Sequence, residues 1–149
     1  MNKEQLYFAL LTELIFQKVF KEKFMNQTRG LSDIFAIIIG VFLLIEGIWG
    51  EFSDVVFGVL TTNRTHATIH ILLGIVGIYT GLKGGSRGFL IFLGILLAAV
   101  GVLRFVPGIS DLIVSILNVN PAVAYFNIAV GIVSLIIAFT SNRSTVAGS

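Results

Sequence analysis

At 149 residues the chain has the length of one domain, but 56% of it is hydrophobic and only 12% charged, with a mean hydropathy of +0.97; soluble domains carry about 25% charge, so the composition points to an integral membrane protein. The net charge of +2 is scattered and offers no basic stripe for nucleic acid. Cysteine is absent, which excludes disulfides, thiolate metal sites and a cysteine nucleophile.

Residues 3–24 mix an apolar run (Leu6, Phe8, Leu10, Leu11, Leu14, Ile15, Phe16) with Glu13 and a charged end at Lys18, Lys21, Glu22 and Lys23. The run falls short of the ~20 residues a span needs, and Gln17-Lys18 stands where a signal peptide would carry a small-residue cleavage site. A helix lying at the membrane surface is expected over residues 1–30. Residues 34–50 form the first expected span, with Ser32 or Asp33 as N-cap and Glu46 inside it. A short half-buried segment around Val55-Val56-Phe57-Gly58-Val59-Leu60 follows, then a second span over residues 65–82. Lys83-Gly84-Gly85-Ser86-Arg87 is short enough only for a hairpin turn. The third span is expected over residues 88–106, stopped by Pro107-Gly108, and a semi-apolar connector occupies residues 109–120. The fourth span starts at Pro121, a favoured first helical residue, and ends near Thr140, leaving residues 141–149 as a polar, disordered tail.

Eight of the ten Lys and Arg residues (Lys3, Lys18, Lys21, Lys23, Arg29, Lys83, Arg87 and Arg143) fall on one side of this layout. Only Arg64 and Arg104 fall on the other. The positive-inside rule therefore places both termini in the cytoplasm.

The two halves of the spanning region are related by fixed offsets. Gly40 and Gly47 match Gly94 and Gly101 at an offset of 54 (94−40). Asn63, His70 and Gly74 match Asn120, Asn127 and Gly131 at an offset of 57 (120−63). Within each second helix, His70/Gly74/Gly77/Gly81 and Asn127/Gly131/Ser134/Ala138 recur at i, i+4, i+7 and i+11, one helical face. A two-span unit repeated once (residues 31–82 and 88–140) is expected to give two hairpins related by an axis along the membrane normal. Small residues let helix backbones approach closely where lipid supplies no hydrophobic drive, and an Asn or His adds an interhelical hydrogen bond worth roughly 0.6–2 kcal/mol.

The Asn63-x-x-His66-x-x-x-His70-x-x-x-Gly74 signature, its Asn120, Asn127, Gly131 echo and the glycine heptads resemble an uncharacterised bacterial family, domain of unknown function 4383. The resemblance covers about residues 31–139. It implies a small four-span protein of a bacterial inner or internal membrane, such as a thylakoid, and brings no established activity.

Five polar residues form a candidate cluster: Glu46, His66, His70, Arg104 and Asn127. Ionisable groups inside a membrane are functional candidates with a partner to be named. Glu46 is expected to pair with Arg104, and His70 to be oriented by one of these two or by Asn127. The preferred reading is that these groups satisfy one another and lock the helix register. In a second reading, His66 and His70, at i and i+4, hold a metal with Glu46, Glu51 or Asp54 as oxygen ligands, although no spacing specifies the remaining ligands. In a third, one His is an axial ligand of haem or chlorophyll; both lie on one helix face and so cannot clamp one macrocycle from two sides. A fourth is a small transporter acting as an oligomer, against which stand the narrow bundle and the absence of a broken span. No hydrolytic motif or phosphate loop is present.

The expectation is an all-α membrane protein with four transmembrane helices as two repeated hairpins, preceded by an interfacial helix. Its expected role is structural or accessory and non-enzymatic, without a cofactor, with the bilayer and either a second copy or other membrane subunits as partners. Gly40, Gly47, Gly74, Gly77, Gly81, Gly94, Gly101 and Gly131 are its expected packing residues.

Overall fold

The computed structural model describes residues 29–141, together with Tyr7, Leu10 and Leu14 in helical conformation. The expected surface helix over residues 1–30 and the tail at 141–149 otherwise lie outside the described residues. In chain order the elements are α1 (Leu31–Gly50), β1 (Val55–Val56), β2 (Leu60–Thr61), α2 (Arg64–Lys83), α3 (Ser86–Leu103), α4 (Ser110–Leu117) and α5 (Pro121–Thr140). Four helices, α1, α2, α3 and α5, have 18–20 residues and enough hydropathy to cross a membrane. At 1.5 Å per residue such a helix reaches about 30 Å, the thickness of the hydrocarbon layer. The chain is thus an all-α, multi-pass membrane protein with one small ribbon.

Helix boundaries follow local chemistry. Asn63 and Asn120 cap α2 and α5, each side-chain oxygen accepting from the backbone N–H three residues on (2.9 Å from His66, 2.8 Å from Val123). Between α2 and α3, Gly84 and Gly85 take φ of 101° and 92°, which only glycine adopts without strain, so the reversal needs two residues. The N-cap of α1 is Gly30, two to three residues before the expected Ser32 or Asp33. Asp33 caps from inside the first turn instead, its Oδ2 accepting from the Gly30 N–H at 3.1 Å. Its Oδ1 accepts from the hydroxyl of Ser86 at the start of α3, tying two helix starts together.

The segment expected only as half-buried is an antiparallel ribbon, Val55 opposite Thr61 and Val56 opposite Leu60. Phe57 and Gly58 form its turn, both with positive φ (50° and 75°). Phe57 is held in this uncommon conformation by its ring, which stacks on Phe42 (5.7 Å) and meets Trp49 edge-on (5.3 Å).

Packing is tightest within two helix pairs, α1 with α2 and α3 with α5, and glycine is the reason. A methyl group on Gly40 would come within 2.8 Å of the Gly74 carbonyl oxygen, and one on Gly94 within 2.8 Å of that of Gly131. Likewise Gly47 abuts Ala67 and Ile71, and Gly101 abuts Ala124 and Ile128. The contacts of one pair recur in the other at the sequence offsets of 54 and 57. Gly77 and Gly81 pack against Phe89 and Ala36 and against Asp33 and Ile37. Between the pairs a core of Ala36, Ile39, Leu43, Phe89, Leu90, Leu93, Leu97 and Ala138 fills the bundle.

Candidate functional site

The polar groups gather where the ribbon and α4 close the bundle, the connector end. Glu46, on the last turns of α1, and His70, on the second turn of α2, are each about 96% buried, with His70 Nδ1 3.2 Å from Glu46 Oε2. The two are in close contact without the alignment of a hydrogen bond, so that Glu46 Oε2 has no hydrogen-bond partner. His66 lies one turn nearer the helix start, its ring edge-on to that of His70 with centroids 4.2 Å apart. Its Nδ1 is 3.0 Å from the carbonyl oxygen of Leu117. A carbonyl only accepts, so Nδ1 carries the proton and the neutral ring leaves Nε2 as an acceptor.

Arg104 does not join this group. It stands at the end of α3, where its Nε donates to the Val119 carbonyl (2.7 Å) and its guanidinium to Ser110 Oγ (2.8 Å). The expected Glu46–Arg104 pair is therefore replaced by Glu46–His70. Depth along the helix explains the difference. Glu46 sits a turn inside α1, whereas Arg104 follows the last residue of α3 and sends its long side chain out to the connector.

Asn127, on α5, is 2% exposed, and its Nδ2 has no hydrogen-bond partner. With His66 and His70 it lines a cavity of about 60 Å³ whose other walls are Ile69, Leu73, Leu96, Leu97, Val100 and Leu117. Glu46 has Val100 as its counterpart at the offset of 54, and His70 has Asn127 at 57. One helix pair thus carries a carboxylate–imidazole contact where the other carries valine and an amide.

A set of hydrogen bonds between the connectors escaped the sequence reading. Asn63 Nδ2 donates to the Ile116 carbonyl (2.9 Å), and Asn120 Nδ2 to the Val59 carbonyl (2.8 Å). Both steps, Asn63 to Asn120 and Val59 to Ile116, equal 57, so the bonds are reciprocal. Between them Thr61 donates its hydroxyl to the Asn118 carbonyl and accepts from the Asn120 N–H (3.0 Å), while Asn118 Nδ2 donates to the Thr62 carbonyl (2.7 Å). The recurrence of Asn63 as Asn120 was the only sequence sign of this clasp, because the acceptors are backbone carbonyls that any residue supplies.

Chemically, the site offers a buried carboxyl–imidazole contact, one imidazole acceptor and one amide donor beside a small apolar void. Among the described residues no three His, Asp or Glu side chains converge as a metal-binding group. Neither a curated protein nor a solved structure matches the chain. The model of one family, described as domain of unknown function (DUF4383), matches residues 33–140, from the first turn of α1 to the last residue of α5. That match spans all four membrane helices and both connectors, and the chain belongs to the DUF4383 family.

Proposed function

We propose that the protein is a small structural or accessory membrane subunit, non-enzymatic, that packs against itself or a larger membrane complex. One observation carries this reading: most polar side chains at the connector end are spent on holding the bundle together. His70 faces Glu46, His66 and Arg104 hold carbonyls of the connector, and Asn63 and Asn120 hold each other's connectors. Large apolar side chains such as Ile38, Ile45, Leu72, Tyr79, Phe92 and Ile136 point outward, available to lipid or to another subunit.

The reciprocal bonds and recurring glycine contacts support a further element of the proposal. The spanning region is two copies of one helical hairpin, residues 31–82 and 88–140, about an axis along the membrane normal. The rival readings have less support. The void beside His66 and His70 is only about 60 Å³, too small for a macrocycle such as haem or chlorophyll to bring its central metal to either ring. Among the described residues no three His, Asp or Glu side chains are grouped to hold a metal, and His66 Nδ1 is engaged by the Leu117 carbonyl. For transport, the void of about 60 Å³ is local and does not form a path.

The expected outcome of extraction in mild detergent is a complex larger than one chain, with the same partner or a second copy in each preparation. A monodisperse monomer, or a preparation carrying stoichiometric pigment or metal, overturns the reading. The cationic turn end belongs in the cytoplasm of a bacterial inner or internal membrane by the positive-inside rule. With no native cysteine, a Ser53→Cys label site at the connector end reports this directly. It is expected to react with an impermeant maleimide from outside intact cells, whereas Lys83→Cys reacts only after lysis.

A further inference from the structure

The two clefts between the helix pairs are filled differently at the connector end. In the cleft between α1 and α5, the rings of Phe42 and Phe126 lie 5.3 Å apart, with Phe57 stacked on Phe42. Under the two-copy reading proposed above, on which this inference rests, their counterparts in the cleft between α2 and α3 are Leu96 (42+54) and Ile69 (126−57). Both of these residues are walls of the cavity. The void therefore lies where aromatic rings plug the opposite cleft.

Its chemistry differs from that of the plugged cleft in a second respect. Where α5 presents Val123, α2 presents His66, whose Nε2 is an unused acceptor once Nδ1 has donated to Leu117. Asn127 adds an amide whose Nδ2 is unpartnered although the residue is 98% buried. An unpaired buried donor is unfavourable, so the site gains from a guest that accepts a hydrogen bond. Ile69 is 36% exposed on the outer side of α2, so the mouth of the cleft faces lipid and not water.

We propose that this cleft binds the ring of a membrane-soluble quinone or hydroquinone. The planar ring takes the place of the missing Phe rings. A quinone oxygen accepts from the Asn127 amide, a hydroquinone hydroxyl donates to His66 Nε2, and the apolar tail leaves between α2 and α3 into the bilayer. The void of about 60 Å³ is below the ~150 Å³ that houses a benzene ring. The site therefore encloses the oxygen-bearing edge of the ring and leaves the rest in the lipid-facing mouth.

The test uses the full chain in mild detergent, titrated with decyl-ubiquinone, with its hydroquinone and with n-decane as the tail alone, following thermal unfolding. Wild type is expected to gain Tm with either ring compound and not with decane. The plugged variant, Ile69→Phe with Leu96→Phe, is expected to start at a higher Tm and to bind the rings at least about tenfold more weakly, a loss of about 1.4 kcal/mol. Absence of a ring-dependent shift in wild type, or an equal shift in the plugged variant, overturns the quinone site. A plugged variant that starts at a lower Tm overturns instead the two-copy packing beneath it, so the two failures are distinguishable.

Discussion

Replacing Gly74 by Val is expected to cost about 3 kcal/mol, the upper part of the usual range for overpacking, because nothing at that position can give way. A side-chain carbon there meets the Gly40 carbonyl oxygen and the Leu44 backbone nitrogen, both at 2.7 Å. These are backbone atoms of the facing helix, so relief requires α1 and α2 to move apart along their length, with loss of the dispersion contacts that hold helices together in lipid. Gly88 serves as the control, since a methyl group there meets nothing within 4 Å. Gly88→Ala is expected to change stability by about 1 kcal/mol at most and in the favourable direction, because alanine is the better helix former. Unfolding in mixed micelles, followed by far-ultraviolet circular dichroism and the fluorescence of the sole tryptophan, Trp49, measures both. A Gly74→Val protein as stable as wild type would remove the close approach from the account of the fold.

The second large effect is a coupling. His70→Asn alone is expected to destabilise by roughly 3–5 kcal/mol, because it strips Glu46 of its partner in a site almost free of water. Glu46→Val alone leaves His70 Nδ1 facing an apolar side chain in place of the carboxyl 3.2 Å away, at about 1–3 kcal/mol. Together the two substitutions rebuild the pair that the protein already tolerates at Val100 and Asn127, so the double variant is expected to recover much of the loss. The interaction term should be about 2 kcal/mol. Additive losses within about 0.5 kcal/mol would show that the two side chains, 3.2 Å apart, do not depend on one another. Charge alone does not decide this result; what matters is which group is left buried without a partner.

The four spans were legible because their signal is a sum over about 20 residues, and no single position can spoil it. The packing glycines were legible because each recurs at a fixed offset, and the contacts of Gly40 with Gly74 and of Gly94 with Gly131 follow that spacing. The partner of Glu46 was not. Reckoning depth by residue number sets Arg104 and Glu46 near the same end, but it does not register that an arginine beyond the last helical turn reaches outward, to Val119 and Ser110. The ribbon at Val55–Val56 and Leu60–Thr61 was missed because two-residue strands carry almost no alternation to detect. The cavity is a matter of what is smaller than its counterpart. Leu96 and Ile69 are unremarked apolar residues until the rings of Phe42 and Phe126 are seen packed in the opposite cleft.

The clasp between the connectors also dictates an order of events during assembly. The backbone-to-backbone glycine contacts, such as Gly40 with Gly74 and Gly94 with Gly131, lie within α1–α2 and within α3–α5, helices that follow one another closely in the chain, so each pair can form as soon as its second helix is in the bilayer. The bonds from Asn63 to Ile116, Asn118 to Thr62 and Asn120 to Val59 instead join residues 53–61 apart in the chain. Their loop entropy is paid only when both pairs are in place. Closure of the clasp is thus expected to follow formation of both pairs, so that a half-made protein has unsatisfied asparagines and carbonyls at its rim.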